Sequence, residues 1–148
     1  MHNISSKPLR KVFVSGCYDI LHGGHIQFFR QARALWDHLT VCFASAEVLK
    51  LAKNRKPSIP DEHKMMILSS LKYVDEVVTS SDSDPVFDFR GHIKTIRPDI
   101  LVVTDDDTNA DLKRDFCKQE WIEFVVLPKT SFTLPLSTTS IITSIREG

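Results

Sequence analysis

Residues 11–29 read KVFVSGCYDILHGGHIQFF, and this stretch decides the fold. The apolar, β-branched run at 11–15 predicts a first strand, which ends at Gly16. From Gly24 to about Trp36, apolar residues recur at helical spacing, which predicts a helix. A strand that leads through a short glycine-containing loop into a helix is typical of the first unit of an α/β domain.

The rest of the chain repeats this alternation. Further apolar runs predict strands at 39–44, 74–79, 100–104 and 123–127, and helical patterns predict helices at 46–52, 60–72, 85–97 and 110–119, with a last helix from about 138. Strands that are apolar on both faces and alternate with helices indicate a parallel sheet covered on both sides. We therefore predict an α/β fold: a single doubly wound, Rossmann-like domain over 1–148 with a five-stranded parallel sheet and a flexible segment at 1–10.

Composition excludes several classes of function. Lys plus Arg and Asp plus Glu both number 19, so the net charge is zero, which argues against a nucleic-acid partner. The three cysteines are widely spaced, which predicts neither a disulfide framework nor a zinc knuckle and favours a reduced, cytoplasmic compartment. No signal peptide is visible, and no apolar run approaches the roughly 20 residues that span a bilayer, so no membrane partner is predicted.

The loop after the first strand carries the strongest chemical signal. His22 and His25 lie at i and i+3 at the start of a helix, and Gly23 and Gly24 allow a ligand to approach the backbone closely. Free N–H groups and the helix dipole make such a terminus a site for phosphate, and imidazoles beside it can stabilise charge on a phosphoryl group. The alternatives are two surface histidines that cap a helix, or a zinc pair without its other ligands.

The pattern G-x-F/Y-D-x-x-H-x-G-H at 16–25 resembles the cytidylyltransferase branch of the HxGH nucleotidyltransferase superfamily. That branch includes glycerol-3-phosphate and ethanolamine-phosphate cytidylyltransferases, the heptose-phosphate adenylyltransferase and archaeal FAD synthetases. The resemblance extends from Lys11 to about Ile145, through the segments PDEHKMMIL at 60–68, KYVDEVV at 72–78 and STTS at 137–140. Lys64 and Lys129 stand where the family has arginine, and the loop before Ser137 is about three residues longer.

The resemblance implies a set of site residues. The catalytic group comprises His22, His25, Lys53 and Lys64; the nucleotide-binding group comprises Gly16, Cys17, Tyr18, Gly23, Gly24, Asp105, Asp106, Asp107, Lys129, Ser137, Thr138 and Thr139; and Asp19 is structural, holding the loop through backbone N–H groups. Three simpler interpretations stay open: Lys64 on the exposed face of an amphipathic helix, 105–107 as a solvated acidic loop, and 137–140 as a helix cap. Protein metal ligands are not expected, and Mg²⁺ is expected to accompany the triphosphate.

These observations predict a nucleotidyltransferase. A small phosphorylated acceptor would attack the α-phosphorus of a nucleoside triphosphate and release pyrophosphate. We prefer CTP, partly because Phe132 and Leu134 imply a small base pocket, with ATP and a sugar phosphate or FMN as the alternative. An alternative of another class is a nucleotide-binding regulatory module without turnover. The resemblance also implies a homodimer, for which the sequence offers only Trp36 and Trp121 as exposed aromatics.

Overall fold

The structure, a computed structural model, describes residues 8–129 and 136–147, except for the side chains of Ala52 and Lys53. The strands are β1 (Lys11–Gly16), β2 (His38–Phe43), β3 (Glu76–Thr79), β4 (Ile100–Thr104) and β5 (Glu123–Leu127). The helices are α1 (Gly23–Arg33), α2 (Ala46–Lys53), α3 (Asp61–Ser69), α4 (Arg90–Ile96), α5 (Ala110–Gln119) and α6 (Thr138–Glu147).

The strands form one parallel sheet in the order β3-β2-β1-β4-β5. The chain moves outward from β1 to β3 and then returns to the other side of β1 at β4. This reversal is the switch point of a doubly wound fold, so the predicted fold class and the five-stranded parallel sheet are confirmed.

The core lies on both faces of the sheet, as the uninterrupted apolar strands predict. On one face, Val12 and Val14 of β1 pack in a buried cluster with Phe29 of α1. On the other face, Phe13 packs in a second buried cluster with Phe89, which precedes α4. Because alternate residues of a strand point to opposite faces, β1 contributes to both clusters and is central in the sheet.

Three predicted helix boundaries are wrong. The predicted helix at 85–97 begins only at Arg90, because the Asp84 carboxylate accepts the N–H groups of Val86 and Phe87 and holds that segment in a turn. The helix predicted to reach Lys72 ends at Ser69, and the helix predicted to reach about Trp36 ends at Arg33.

Arg10 makes two contacts at the end of the segment at 1–10, whose flexibility stays a prediction. Its N–H donates to Asp37, and its guanidinium lies 3.8 Å from the centre of the Trp36 ring. Residues 1–7 lie outside the described part.

Among the described residues, no helix has both the length and the apolarity needed to cross a membrane.

Candidate active site

A cavity of about 450 Å³ opens at the carboxyl ends of β1 and β4, at the switch point. The loops after β1, β4 and β5 and the start of α6 all contribute to it. Of the predicted site residues, those that line the cavity are Gly16, Cys17, Tyr18, Asp19, His22, Gly24, His25, Asp106, Asp107, Lys129, Ser137, Thr138 and Thr139. Gly23, Lys64 and Asp105 do not line it, and the side chain of Lys53 is outside the described part.

The two histidines cap the start of α1 and hold each other in place. His22 Nδ1 accepts the N–H of Gly24 at 3.1 Å, and His25 Nδ1 accepts the N–H of His22 at 3.2 Å. The ring centres are 4.0 Å apart. Because each Nδ1 accepts a hydrogen bond, each neutral ring carries its proton on Nε2. The cap thus fixes two imidazoles as N–H donors on the cavity wall, so the cap alternative and the catalytic hypothesis describe the same geometry.

Both histidines are held in the neutral form. Burial, with smaller contributions from the neighbouring His22 and Lys129, lowers the pKa of His25 to about 4. Burial, with a smaller contribution from Lys129, also lowers the pKa of His22. Near neutral pH these rings therefore act as neutral hydrogen-bond donors, which suits stabilisation of phosphoryl charge better than proton transfer.

Tyr18 packs against the ring of His25. It adopts a left-handed backbone conformation, with φ of 47°, and its ring lies against Gly16, where a Cβ atom would come within 2.7 Å of Tyr18 Cζ. The ring meets His25 edge-on at 5.5 Å and Phe29 at 5.2 Å between centres. Gly16 is therefore required by the close approach of an aromatic ring. Tyr18 was predicted to bind the nucleotide, and in the structure its ring packs against His25.

Lys64 occupies a different place from the one predicted. It is buried, with 2 % of its surface exposed, so the interpretation that places Lys64 on the exposed face of a helix is wrong. Its ammonium contacts the loop that precedes His22. Lys64 Nζ donates to the carbonyl of Cys17 at 3.1 Å and lies 3.6 Å from Asp19 Oδ1. The same Oδ1 accepts the N–H of Ser58 at 2.7 Å, which is the kind of contact expected for a structural Asp19.

Arg55, which the sequence interpretation passed over in favour of Lys53, lines the cavity. Its Nη2 atom lies 3.8 Å from Asp19 Oδ2, and Arg55 Nε and Asp19 Oδ2 are both buried without a hydrogen-bond partner among the described residues. Arg55 is one of four basic residues at 50–56, and this cluster was the only indication of its role in the sequence. Charge alone did not distinguish which of them faces the cavity.

The acidic loop after β4 is bonded to Lys129, which follows β5, at the edge of the cavity. Asp105 accepts the N–H of Lys129 at 3.1 Å, and Asp106 pairs with Lys129 Nζ at 2.9 Å while accepting the Thr104 hydroxyl. These contacts lower the pKa of Asp106, the Thr104 hydrogen bond most of all. The loop is thus not purely solvated, and because the pair between Asp106 and Lys129 is half-exposed, a nucleotide-binding role of either residue stays a prediction.

Asp107 is more fully engaged. Its Oδ1 accepts the N–H of Asn109 at 2.8 Å, and its Oδ2 pairs with Lys113 Nζ at 2.7 Å. Lys113, which the sequence interpretation did not single out, is largely buried and holds Asp107 at the cavity wall. A ligand amino group would therefore share Asp107 with two existing donors.

The start of α6 combines a cap with a link to the histidine loop. Ser137 Oγ accepts the N–H of Ser140 at 3.0 Å, which is the predicted cap. The Thr138 hydroxyl donates to the carbonyl of Ile20 at 3.1 Å, so α6 is tied to the loop between β1 and α1. The amino terminus of α6, where the helix dipole is positive, thus lines the cavity next to the loop that carries the histidines.

Within 8–129 and 136–147, no group of three or more His, Cys, Asp or Glu side chains is placed to hold a metal ion.

Comparison with known proteins decides the family. A family model described as cytidylyltransferase-like matches residues 13–144. The chain belongs to this family. As a cytidylyltransferase-like protein, it shares with its relatives the nucleotidyltransferase superfamily predicted from residues 16–25.

Its relatives include proteins named FAD synthase and bifunctional protein HldE. FAD synthase of Pyrococcus horikoshii is 37% identical over 106 residues, which cover 70% of each chain. FAD synthase of Thermococcus kodakarensis is 36% identical over 96 residues, 65% of this chain and 62% of that one. Bifunctional protein HldE of Methylococcus capsulatus is 36% identical over 149 residues, 95% of this chain but 30% of HldE.

Solved structures agree on the fold. A lipopolysaccharide core biosynthesis protein from Thermoplasma volcanium superposes with a TM-score of 0.68 at 23% identity, covering 84% of this chain and 98% of that one. Pantoate-beta-alanine ligase from Francisella tularensis superposes with a TM-score of 0.66 at 17% identity, covering 95% and 70%. At these identities the likeness concerns the fold alone.

Proposed function

We propose that this protein transfers the adenylyl group of ATP to the phosphate of a small acceptor and releases pyrophosphate. The observation that carries the proposal is the histidine cap: His22 and His25 are neutral, are fixed through Nδ1, and line the cavity as Nε2–H donors. Two fixed donors beside a helix amino terminus suit the charge that develops on an α-phosphoryl group during in-line displacement.

The reaction needs no catalytic base. An acceptor phosphate oxygen forms a bond to the α-phosphorus as the bond from that phosphorus to the bridging oxygen of pyrophosphate breaks, and pyrophosphate takes the bonding electrons. A phosphate monoester is already ionised near neutral pH, so its attack requires no proton removal. Catalysis then depends on placing the two phosphates in line and on stabilising the transition-state charge.

The remaining cations and donors of the cavity divide between the departing pyrophosphate and the acceptor phosphate. Lys129 and the start of α6, at Ser137, Thr138 and Thr139, are suited to the departing pyrophosphate. Arg55 is suited to the acceptor phosphate, because guanidinium binds phosphate oxygens in pairs and Arg55 lines the cavity on the Asp19 side. Lys64 has no part in direct contact with phosphate, since it lies outside the cavity. A role for Lys53 stays a prediction.

Adenylate is preferred to cytidylate because of the relatives. An FAD synthase, by its name, makes flavin adenine dinucleotide, whose adenylate half corresponds to that of ATP. The preference for CTP from the sequence depended in part on Phe132 and Leu134, which lie outside the described residues. Mg²⁺ would enter with the triphosphate, because it is commonly held by substrate phosphates and few protein ligands.

Pyrophosphate release, measured over a matrix of ATP, CTP, GTP and UTP against FMN, sugar phosphates, polyol phosphates and amino-alcohol phosphates, tests the proposal. We expect turnover with ATP and at least one of these acceptors. Turnover with CTP alone would restore the cytidylyltransferase hypothesis. Tight ATP binding by calorimetry with no turnover in any combination would favour the regulatory module.

A further inference from the structure

Two buried, oppositely charged side chains have no direct role in the proposed transfer. The side chains of Asp19 and Lys64 are each 1% exposed, and Lys64 Nζ lies 3.6 Å from Asp19 Oδ1. Their other contacts diverge: Lys64 holds the Cys17 carbonyl, whereas Asp19 holds the Ser58 N–H at 2.7 Å and faces Arg55 at 3.8 Å. The pair therefore touches both the histidine loop and the loop that carries Arg55.

Stability alone does not account for such a pair. Removing two charges from water costs free energy that their attraction only partly returns, and apolar residues of similar volume are often as stable or more stable. What the pair provides is a fixed point between two segments without regular structure, residues 17–22 after β1 and residues 54–60 after α2. Their mutual position sets how far Arg55 lies from the histidines.

We propose that Asp19 and Lys64 are positioning residues, which set the distance between the histidine loop and Arg55 and so place the acceptor phosphate in line with the α-phosphate. This inference rests on the proposed function. It follows from the geometry of attack, since misplacement of reacting groups by about 1 Å can cost on the order of 10²-fold in rate. Neither side chain needs to touch the phosphates to have this effect.

The test separates position from stability. Lys64→Met leaves the buried Asp19 carboxylate with Arg55, at 3.8 Å, as its remaining cation and is expected to lower Tm. Asp19→Asn combined with Lys64→Met removes both charges but leaves an amide oxygen that can accept the Ser58 N–H, so we expect Tm to recover toward the wild-type value. Lys64→Arg keeps the cation, and Lys118→Met, at an exposed lysine of α5, is the matched control.

In the double variant, kcat should fall by about tenfold or more even though Tm recovers, because the two loops are no longer fixed to each other. Lys64→Arg should retain most of the wild-type kcat, and Lys118→Met should match the wild type in both kcat and Tm. A double variant with wild-type kcat and recovered Tm would overturn the proposal, and so would a Lys64→Arg variant that folds with wild-type Tm but has the kcat of the double variant.

A readout without turnover separates this proposal from the proposed function. The imidazole ¹⁵N signals of His22 and His25, and the affinity for inorganic phosphate as a probe of the acceptor-phosphate position at Arg55, can be measured whether or not an acceptor is known. We expect the double variant to shift the histidine signals and to weaken inorganic phosphate binding by about tenfold; unchanged signals and affinity would overturn the positioning role. Absence of pyrophosphate release by the wild type, with these shifts present, would overturn only the adenylyl transfer.

Discussion

Replacement of His22 by asparagine separates the two tasks of this residue. Asparagine is among the best helix caps, so its side-chain oxygen can accept the Gly24 N–H that His22 Nδ1 now accepts at 3.1 Å. Its amide is too short to reach the position of Nε2. His22→Asn should therefore keep α1 capped while removing one of the two donors on the cavity wall, whereas His22→Ala should remove both the cap and the donor.

The expected magnitudes differ for the two variants. Loss of one donor to a developing oxyanion costs about 10²–10³-fold in kcat, or about 2.7–4 kcal/mol, so both variants should show this loss. Loss of a cap costs about 1 kcal/mol of the free energy of unfolding, which for a chain of this size lowers Tm by about 2–4 °C. Only His22→Ala should show that decrease. Because the donor acts in the transition state, the KM for ATP should change little in His22→Asn.

Pyrophosphate release gives kcat and KM, and thermal melting followed by circular dichroism gives Tm. His22→Asn with a kcat within about threefold of the wild type, well short of the effect of a lost oxyanion donor, would refute the catalytic role and leave His22 as a cap. His22→Asn with wild-type kcat but a raised KM for ATP would instead show that the ring binds the ground state.

The remaining predictions concern pH, the acceptor and assembly. The pKa of His25 is lowered to about 4 in the folded chain from the ordinary 6.5, so between these pH values the unfolded chain binds the proton and the folded chain does not. Tm should therefore fall as pH is lowered from 6.5 to 4, and it should fall less steeply in His25→Gln. Equal changes of Tm with pH in the wild type and in His25→Gln would contradict this prediction. Arg55→Ala should raise the KM for the acceptor by about tenfold, the effect of losing a charge-assisted phosphate contact, with a smaller effect on the KM for ATP; equal increases would contradict the acceptor assignment. We still expect a homodimer, with Trp121, which is 95% exposed, as a candidate contact, and sedimentation that shows an active monomer at high micromolar concentration would refute it.

Most of the fold could be predicted because its signals are local. The bounds of β4 and β5 coincide with the predicted 100–104 and 123–127, since both runs are apolar and are ended by polar or turn-forming residues. The start of α4 could not be predicted, because Asp84 competes for backbone N–H groups that a helix would otherwise use. The order of the strands was not predicted, because alternating strands and helices with right-handed crossovers are compatible with more than one order in a doubly wound sheet.

The candidate site was predictable where one segment carries its own geometry. His22 and His25 are three residues apart on a helix terminus, so their proximity follows from the sequence alone. The contacts of Asp106 and Asp107 could not be predicted in the same way. Their partners, Lys129 and Lys113, are brought close only by the pairing of β4 with β5 and by the return of α5 along the sheet.

The burial of Lys64 shows most clearly where the pattern of apolar residues fails. Four consecutive apolar residues follow it, at 65–68, so the sequence of α3 does not define which face is buried. In the structure the lysine is 2% exposed and Met66 is 70% exposed, which is the reverse of what hydrophobicity alone favours. On the inward side of α3, Leu68 is 1% exposed and Met65 packs against the core, so Lys64 is a cation on an otherwise apolar buried side. A cation in this position conflicts with the hydrophobic pattern, and such local conflicts concentrate at functional sites. This is independent support for a role of Lys64 in the position of that loop.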